Sequence, residues 1–224
     1  QLAGALPDTV NYGTFIAQYP SLTLRSRSQE EINAKISAVA PGEVVGAHLH
    51  FSTATFEALQ KKNALHLFIW RDPRDVILSE AHYLAEMARF HAMHGVFKKL
   101  TNAEDRVRLA LTGDGTDRYP PAGLRMGAYM GWCDPANDAL CFRYEAFVDQ
   151  ATQETQVARV VDRFVTQGGK VANRDELIER LSKAIDPRKS HTFHKGGIAR
   201  WKHEMSSENQ ALAKVQFKGL FDVH

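Results

Sequence analysis

Residues 67–79 read Leu-Phe-Ile-Trp-Arg-Asp-Pro-Arg-Asp-Val-Ile-Leu-Ser, and this stretch decides how the rest of the chain is interpreted. Its first four residues are apolar, which predicts a strand buried on both faces of a parallel sheet. The apolar run stops at Arg71. Asp72 can then cap a helix in which Pro73 takes the first position and Asp75 adds an acid to the first turn. The stretch therefore predicts a strand that leads directly into a helix.

This predicted junction carries the groups that bind anions. The Arg71 guanidinium and free backbone N–H groups would lie at the carboxyl end of a buried strand, where open α/β sheets bind ligands. Ser79 lies one turn beyond Asp75 on the same helix face, so its hydroxyl could support Arg71 on one phosphate. The alternative is a capped junction whose arginines are simply solvated.

Length and composition favour one ordinary globular domain. A chain of 224 residues is long enough for a single α/β domain, and we expect residues 1–224 to form one. No apolar run approaches the roughly 18 residues that span a bilayer, so we expect neither a membrane span nor a signal peptide. A net charge of +2 argues against extensive binding to nucleic acid, which we do not expect as a partner.

The two cysteines and the uneven charge add further constraints. Cys133 and Cys141 are too few for a disulfide framework and lack a metal or redox spacing, so reduced thiols and a cytoplasmic location are expected and no metal is implied. Positive charge is concentrated near the end of the chain. Without a single intervening acid, the basic residues there are Arg188, Lys189, His191, His194, Lys195, Arg200, Lys202 and His203.

Strands and helices alternate along the rest of the sequence. A capping pair at Ser28 and Glu31 opens a helix, and a second pair at Thr101 and Glu104 opens another. The helix from Pro73 is expected to continue through Phe90 until Gly95 ends it. Further strands are predicted at 43–49 and 139–144, and further helices at 53–59, 124–132, 154–166, 173–186 and 207–220. Residues 113–121 form a long irregular connection, which we interpret as a lid on the acceptor side. This alternation predicts a three-layer α/β domain with a central parallel sheet.

Three stretches together resemble the sulfotransferases that use 3′-phosphoadenosine 5′-phosphosulfate (PAPS), which have a P-loop nucleotide-transferase fold. Residues 69–79 are similar to the family's 3′-phosphate segment, with an arginine, a proline turn and a serine. Residues 142–145, Phe-Arg-Tyr-Glu, are similar to its Tyr-Glu step at a strand end. Residues 194–202, His-Lys-Gly-Gly-Ile-Ala-Arg-Trp-Lys, resemble its Arg-Lys-Gly…Trp-Lys loop, which closes over the same nucleotide.

The resemblance implies a donor site. Arg71 and Ser79 would hold the 3′-phosphate, Lys195 and Gly196 would add a cation and backbone N–H groups, and Tyr144 would lie towards the adenine. Such groups suit a doubly charged phosphate beside a phosphosulfate, because fixed cations and backbone donors bind both with little reorganisation. The donor substrate would be PAPS, and the nucleotide product would be adenosine 3′,5′-bisphosphate (PAP).

His48 is the candidate catalytic base that the resemblance implies. In many members a histidine in a Thr-His-Leu segment takes the proton from the acceptor hydroxyl, and here Ala47, His48 and Leu49 occupy that place. A neutral imidazole near pH 7 suits general-base catalysis on an alcohol. The alternative is a hydrogen-bonded histidine of the core.

The sequence also departs from the family pattern. It contains no Pro-Lys/Arg-Ser-Gly-Thr segment, which in the family grips the 5′-phosphosulfate, and we expect Gln1 to fall inside or just past the helix that follows that loop. His194 takes the place of the usual arginine in the phosphate contact. Ala199 and Arg200 replace a Gly-Asp step before Trp201.

Several functions remain open at this point. The leading one is transfer of a sulfuryl group from PAPS to a hydroxyl of a small molecule, a lipid or a carbohydrate. The others are a P-loop phosphoryl transferase and a non-catalytic domain that binds nucleotide or an acidic partner. A homodimer is also considered, because Phe217 and Phe221 of the last helix look exposed and could pack either on the same chain or on a second copy.

Overall fold

The computed structural model describes residues 2–137, 139–185 and 197–220. Helices dominate this part of the chain, and the strands are short. In chain order the elements are a 3₁₀ turn (Ala3–Ala5), β1 (Phe15–Ala17), α1 (Gln29–Ser37), β2 (Gly46–His48), α2 (Thr53–Lys61), β3 (Leu67–Trp70), α3 (Pro73–His82), a π-helical turn (Tyr83–Met87), α4 (His94–Lys99), α5 (Ala103–Thr112), α6 (Ala122–Gly127), a second 3₁₀ turn (Met130–Cys133), β4 (Leu140–Arg143), α7 (Tyr144–Val148), α8 (Gln150–Thr166), α9 (Arg174–Ala184), α10 (Trp201–Glu204) and α11 (Ser207–Gln216).

The strands pair in parallel, as the alternation with helices predicts. Within the described residues they form two separate two-stranded sheets, β1 with β2 and β3 with β4. The registers align Ala17 with His48 and Trp70 with Arg143. The expectation of one central sheet is therefore not met in this part of the chain, although the parallel α/β pairing is confirmed.

The prediction that β3 is buried on both faces is wrong. Leu67, Phe68 and Trp70 are partly buried, and the Ile69 residue is 52% exposed. In the described part of the chain β3 pairs only with β4, so the sheet is too narrow to enclose this side chain. An apolar run of this length predicts a strand, but it does not predict how many other strands lie beside it or which of its side chains become buried.

The described residues fall into two compact units. The first comprises residues 2–18, 27–70, 131–137 and 139–185, and the second comprises 19–26, 71–130 and 197–220. All four strands belong to the first unit. The second unit contains α3, α4, α5, α6, α10 and α11.

Two apolar clusters form the core of the first unit. In the larger one, the stripe of α8 packs against α9, with Val157, Val160 and Val161 fully buried. This stripe follows the helical spacing that the sequence predicts for 154–166. A smaller cluster includes Ile16 of β1, Ile32 of α1 and Leu49, which follows β2.

The core of the second unit is built by α3, α5 and α11. Its fully buried side chains include Ile77, Phe97, Leu111 and Phe217. Phe217 is 0% exposed, so it packs within this chain, which is one of the two possibilities that the sequence leaves open. The amphipathic pattern of α11 places Phe217 on the core side, and Phe221 lies outside the described residues.

Local capping chemistry sets most of the helix starts. Ser28 and Glu31 form the predicted capping box of α1, and Ser52 caps α2. Helix α5 is capped by Asn102 rather than by Thr101, because the Asn102 side chain accepts the N–H of Glu104 at 2.9 Å. The predicted pair was therefore displaced by one residue.

The end of the helix that begins at Pro73 differs from the prediction. Helix α3 continues into the π-helical turn, where the Ala88 N–H donates to Tyr83 O at 2.9 Å, and helical structure ends there. Phe90 lies beyond that end, and Gly95 lies inside α4 instead of ending a helix. A π-helical turn changes the helical repeat and has no simple sequence signature.

Cys133 and Cys141 form a disulfide, with their Cα atoms 5.2 Å apart. The expectation of two reduced thiols is therefore wrong. Cys133 ends the second 3₁₀ turn, and a turn through Asp134 and Asn137 returns the chain to β4, which carries Cys141. Spacing motifs do not reveal a pairing that such a local turn creates.

Strand β1 lies in the opening stretch, residues 1–24, whose apolar residues follow no clear period. It has three residues, too few for an alternating pattern to stand out. No helix in the described residues is long and apolar enough to cross a membrane.

Candidate functional site

Arg71 lies between the end of β3 and the start of α3, as the sequence predicts. Its side chain is 20% exposed. Arg71 Nη2 donates to the carbonyl oxygen of Gly197 at 2.6 Å and lies 3.5 Å from Asp75 Oδ2. A backbone carbonyl and a carboxylate therefore hold the guanidinium at this junction.

The first turn of α3 has the predicted chemistry. Asp72 caps the helix by accepting the Arg74 N–H at 2.9 Å, and Pro73 takes the first helical position. Asp75 lies in the first turn, where a negative charge is favourable beside the positive end of the helix dipole. These contacts confirm the strand-to-helix junction.

The segment from Gly197 to Trp201 docks onto this turn of α3. Ala199 N donates to Asp75 Oδ2 at 2.8 Å, and Trp201 N donates to Asp75 Oδ1 at 3.0 Å. Both oxygens of a fully buried carboxylate are therefore used by backbone groups more than 120 residues away in sequence. The structure therefore brings together parts of two of the stretches that resemble one family, residues 69–79 and residues 194–202.

A second set of contacts joins Trp201 to α3. Trp201 Nε1 donates to Asp72 Oδ2 at 3.2 Å, and the Arg74 guanidinium stacks 3.7 Å above the indole ring. Arg74 also forms a two-pronged pair with the Asp72 carboxylate, at 2.9 and 2.6 Å. Partial burial alone would raise the pKa of Asp72, but the hydrogen bonds and charge of Arg74 outweigh it and lower that pKa.

Ser79 lies on α3, as predicted. Its hydroxyl donates to the Asp75 carbonyl at 3.0 Å, one turn back along the same helix. Serine hydroxyls in helices commonly make this bond, and a rotation about χ1 exchanges it for another acceptor. In the structure Ser79 is thus occupied locally, and its contact with a phosphate stays a prediction.

His48 ends β2 in the first unit. The residue is exposed, but its ring packs edge-on against Phe15 with the centroids 5.0 Å apart. Desolvation of the ring by the surrounding protein lowers the pKa of His48 below its ordinary value of 6.5. The imidazole is therefore mainly neutral near pH 7, which is the state that a general base needs.

Tyr144 follows β4 directly and begins α7, also in the first unit. The strand ends at Arg143, whose guanidinium lies 4.9 Å from the centroid of the Trp70 ring. Tyr144 therefore occupies a strand end, as the sequence predicts. Its place beside an adenine stays a prediction.

The remaining predicted contacts, His194, Lys195 and Gly196, lie outside the described residues. Of the predicted site residues, Arg71 and Ser79 belong to the second unit, and His48 and Tyr144 belong to the first. Within the second unit the structure shows that residues 197–201 meet the start of α3.

The contacts of Asp75 in this junction could not be predicted from its neighbours in the sequence, which indicate only an acid in the first turn of a helix. A weak signal was present, because Arg71 and Asp75 are four residues apart and a carboxylate at that spacing can pair with the arginine. Nothing local indicated the backbone of residues 199–201 as its partner.

The irregular connection 113–121 is packed at its base. Gly113 has φ +72°, and a Cβ there would lie 2.3 Å from Tyr119 O, so only glycine fits. Arg125 stacks 4.0 Å from the buried Tyr119 ring, donates to Pro120 O at 2.8 Å and pairs with Glu80 at 2.7 Å. These contacts argue against a lid that moves as a whole, and leave residues 114–118 as its exposed tip.

Comparison with known proteins identifies the fold. No protein-family model matches the sequence, and no curated protein matches it. Among solved structures, the chain is similar to the crystal structure of mouse sulfotransferase SULT7A1 complexed with PAP, with a TM-score of 0.59 over 97% of this chain and 88% of that chain. The two sequences are 12% identical, so the likeness concerns the fold alone. The chain therefore has the P-loop-like α/β fold of a sulfotransferase.

Proposed function

We propose that this protein is a PAPS-dependent sulfotransferase that moves a sulfuryl group to a hydroxyl acceptor. The observation that carries the proposal is the setting of Arg71. A partly exposed guanidinium at the start of a helix is held by Gly197 and Asp75, and the two sequence stretches that meet there both resemble donor-binding segments of that family. The fold likeness supports the same class of enzyme.

In the proposed reaction, Arg71 and Ser79 hold the 3′-phosphate of the donor. His194, Lys195 and Gly196 add a cation and backbone donors, and Tyr144 lies towards the adenine. Charge-assisted hydrogen bonds of this kind are roughly twice as strong as neutral ones, which suits a dianionic group. This assignment of site residues rests on the motifs of the sequence and on the contacts of Arg71.

The transfer itself is proposed to be a single in-line displacement. The acceptor oxygen attacks sulfur, the bond between sulfur and the bridging oxygen of PAPS breaks, and His48 takes the proton of the acceptor hydroxyl. The products are a sulfate ester and PAP. The lowered pKa of His48 keeps the ring neutral near pH 7, which is the state in which it can accept a proton.

The acceptor is a hydroxyl of a small molecule, a lipid or a carbohydrate. Acceptor loops vary among proteins that share a donor site, so the fold does not select among these classes. A panel that contains one phenol, one sterol and one sugar would separate them in a single transfer assay.

A cytoplasmic location is part of the proposal and depends on the redox state of the two cysteines. A disulfide between Cys133 and Cys141 is typical of an oxidising compartment, whereas cytoplasmic proteins usually keep thiols reduced. Titration of free thiols in protein isolated under alkylating conditions distinguishes the disulfide from the two reduced thiols. Retention of the disulfide in such protein would contradict a cytoplasmic location.

The central test is the binding of PAP to the wild type and to Arg71→Ala, measured by isothermal titration calorimetry. We expect the substitution to weaken binding by about 2 kcal/mol, because it removes a charge-assisted contact to the 3′-phosphate. Adenosine 5′-monophosphate, which lacks that phosphate, is the matched control ligand, and its affinity should change little on the substitution. Equal PAP affinities for the two proteins would contradict the proposal.

A non-catalytic nucleotide-binding domain is the second candidate. It is the alternative that the same contacts allow, because an Arg71 held by Gly197 and Asp75 would bind the 3′-phosphate of a nucleotide whether or not transfer follows. Incubation with radiolabelled PAPS and the acceptor panel separates the two candidates. Transfer to any acceptor supports the enzyme, whereas tight PAP binding without transfer supports the binding domain.

A further inference from the structure

The buried carboxylate of Asp75 has no part in the reaction described above. It is 0% exposed, and a buried charge is costly unless partners compensate it. Its partners are the N–H groups of Ala199 and Trp201, at 2.8 and 3.0 Å, and the Arg71 guanidinium, at 3.5 Å. Asp75 thus joins Arg71 to the docked segment.

The geometry makes the position of Arg71 depend on Asp75 in two ways. Arg71 Nη2 lies near Asp75 Oδ2 directly, and it also donates to Gly197 O at 2.6 Å. Gly197 is two residues from Ala199, whose N–H is bound to the same Oδ2 atom. Fixing Ala199 and Trp201 on the carboxylate therefore also fixes the carbonyl that receives the guanidinium.

The backbone of this segment needs such a support. Ala199 has φ +57°, in the left-handed region that costs a residue with a Cβ roughly 1–2 kcal/mol. Strained conformations of this kind persist where the surroundings hold them in place. The hydrogen bond from Ala199 N to Asp75 is one contact that does so.

We propose that Asp75 is a positioning residue, which holds the Arg71 guanidinium for the 3′-phosphate of the donor by fixing the Gly197 carbonyl and pairing with Arg71 directly. This inference rests on the proposed function, since it concerns the same phosphate.

The sign of the effect separates positioning from simple electrostatics. Asp75 is a negative charge close to an anion site, so removing that charge should tighten PAP binding if electrostatics alone decide. If Asp75 instead positions Arg71, removing it should weaken binding. In Asp75→Asn the side chain keeps its shape, but the amide NH₂ meets a backbone N–H and leaves that group without an acceptor.

The test measures PAP affinity by calorimetry for the wild type, Asp75→Asn, Arg71→Ala and the double variant. We expect Asp75→Asn to weaken PAP binding about tenfold and to leave the affinity for adenosine 5′-monophosphate nearly unchanged. Because Asp75 acts through Arg71, the double variant should bind PAP no more weakly than Arg71→Ala. Tighter or unchanged PAP binding in Asp75→Asn, or independent losses that add in the double variant, would overturn the inference.

Two further variants control for folding. Glu104→Gln removes another carboxylate that anchors a distant segment in the same unit, and it should lower stability without changing PAP affinity. If Asp75→Asn does not fold, Asp75→Glu carries the test, because it keeps the charge and displaces the carboxylate by one methylene. A loss of PAP affinity in Asp75→Glu then supports positioning, and an unchanged affinity overturns it. If Arg71→Ala binds PAP like the wild type, the proposed function fails, whatever Asp75 does.

Discussion

The guanidinium of Arg71 is fixed by groups of the same unit. Its Nη2 atom donates to Gly197 O and lies near Asp75 Oδ2, and 20% of the Arg71 side chain is exposed. A guanidinium can present two N–H groups in a fixed fork, which matches the paired oxygens of a phosphate. A lysine at this position would keep the charge but lose that geometry.

Ala199 provides a prediction at the scale of a single residue. Its left-handed φ of +57° is the conformation that glycine adopts without a steric penalty. Glycine also gains more freedom in the unfolded chain, which offsets part of the benefit, so we expect Ala199→Gly to stabilise the protein by roughly 0.5 kcal/mol. Urea denaturation followed by circular dichroism measures the change.

The matched control is Ala34→Gly. Ala34 is exposed in the middle of α1, where the backbone is right-handed and glycine costs about 1 kcal/mol relative to alanine. The two substitutions are chemically identical and are expected to change the free energy of unfolding in opposite directions. Destabilisation of similar size at both positions would show that the backbone at Ala199 is not strained.

At the scale of elements, the sequence predicts best what neighbouring residues decide. Asp72 fixes the start of α3 by accepting a backbone N–H of the first turn, and Pro73 suits the first helical position. Ser28 and Glu31 fix the start of α1 in the same local way, through backbone N–H groups within one helical turn. The same applies to Arg71, whose place after a strand follows from the apolar run before it.

What the sequence could not predict depends on contacts between distant segments. The pairing of Asp75 with Ala199 spans 124 residues, and no local pattern encodes it. The exposure of Ile69 depends on how many strands flank β3, and the Cys133–Cys141 disulfide depends on the turn between them. The candidate site was therefore predictable as a set of motifs, but not as a set of contacts.

Glu104 joins α5 to α11 and gives a prediction at this scale. Its carboxylate accepts the Ser206 N–H, at 3.2 and 3.1 Å from its two oxygens, and the side-chain amide of the fully buried Asn209 at 2.7 Å. Hydrogen bonds to an ionised group are stronger than neutral ones, so Glu104→Gln should cost about 1 kcal/mol at pH 7. Arg108→Ala is the control, because its pair with Glu208 joins the same helices through exposed side chains and contributes little.

The contribution of Glu104 should depend on pH. Partial burial alone would raise its pKa, but the hydrogen bonds from Ser206 and Asn209 outweigh this and lower the pKa below the ordinary 4.5. A carboxyl with a depressed folded-state pKa adds stability above the unfolded-state pKa and loses it as the pH falls through the folded-state pKa. The difference between wild type and Glu104→Gln in urea denaturation should therefore shrink below about pH 4.5. A difference that is constant from pH 7 to pH 3.5 would contradict this assignment.

At the scale of the molecule, the proposed donor site should be visible as stabilisation by ligand. A ligand that binds only the folded state adds about 2.7 kcal/mol when its concentration is 100 times its Kd. For a chain of 224 residues, each kcal/mol corresponds to roughly 2–4 °C in Tm, so saturating PAP should raise Tm by about 5–10 °C.

Comparison of ligands in the same thermal-shift measurement tests the reaction class as well as the site. PAP should stabilise the wild type more than adenosine 5′-monophosphate does, and the difference should largely vanish in Arg71→Ala, because that variant lacks the proposed contact to the 3′-phosphate. Stabilisation by ATP with Mg²⁺ but not by PAP would instead favour a phosphoryl transferase, since such enzymes bind a nucleoside triphosphate with its metal. If neither nucleotide raises Tm at millimolar concentration, the guanidinium at the start of α3 is not part of a nucleotide site, and its contacts with Gly197 and Asp75 serve only to join two segments of the fold.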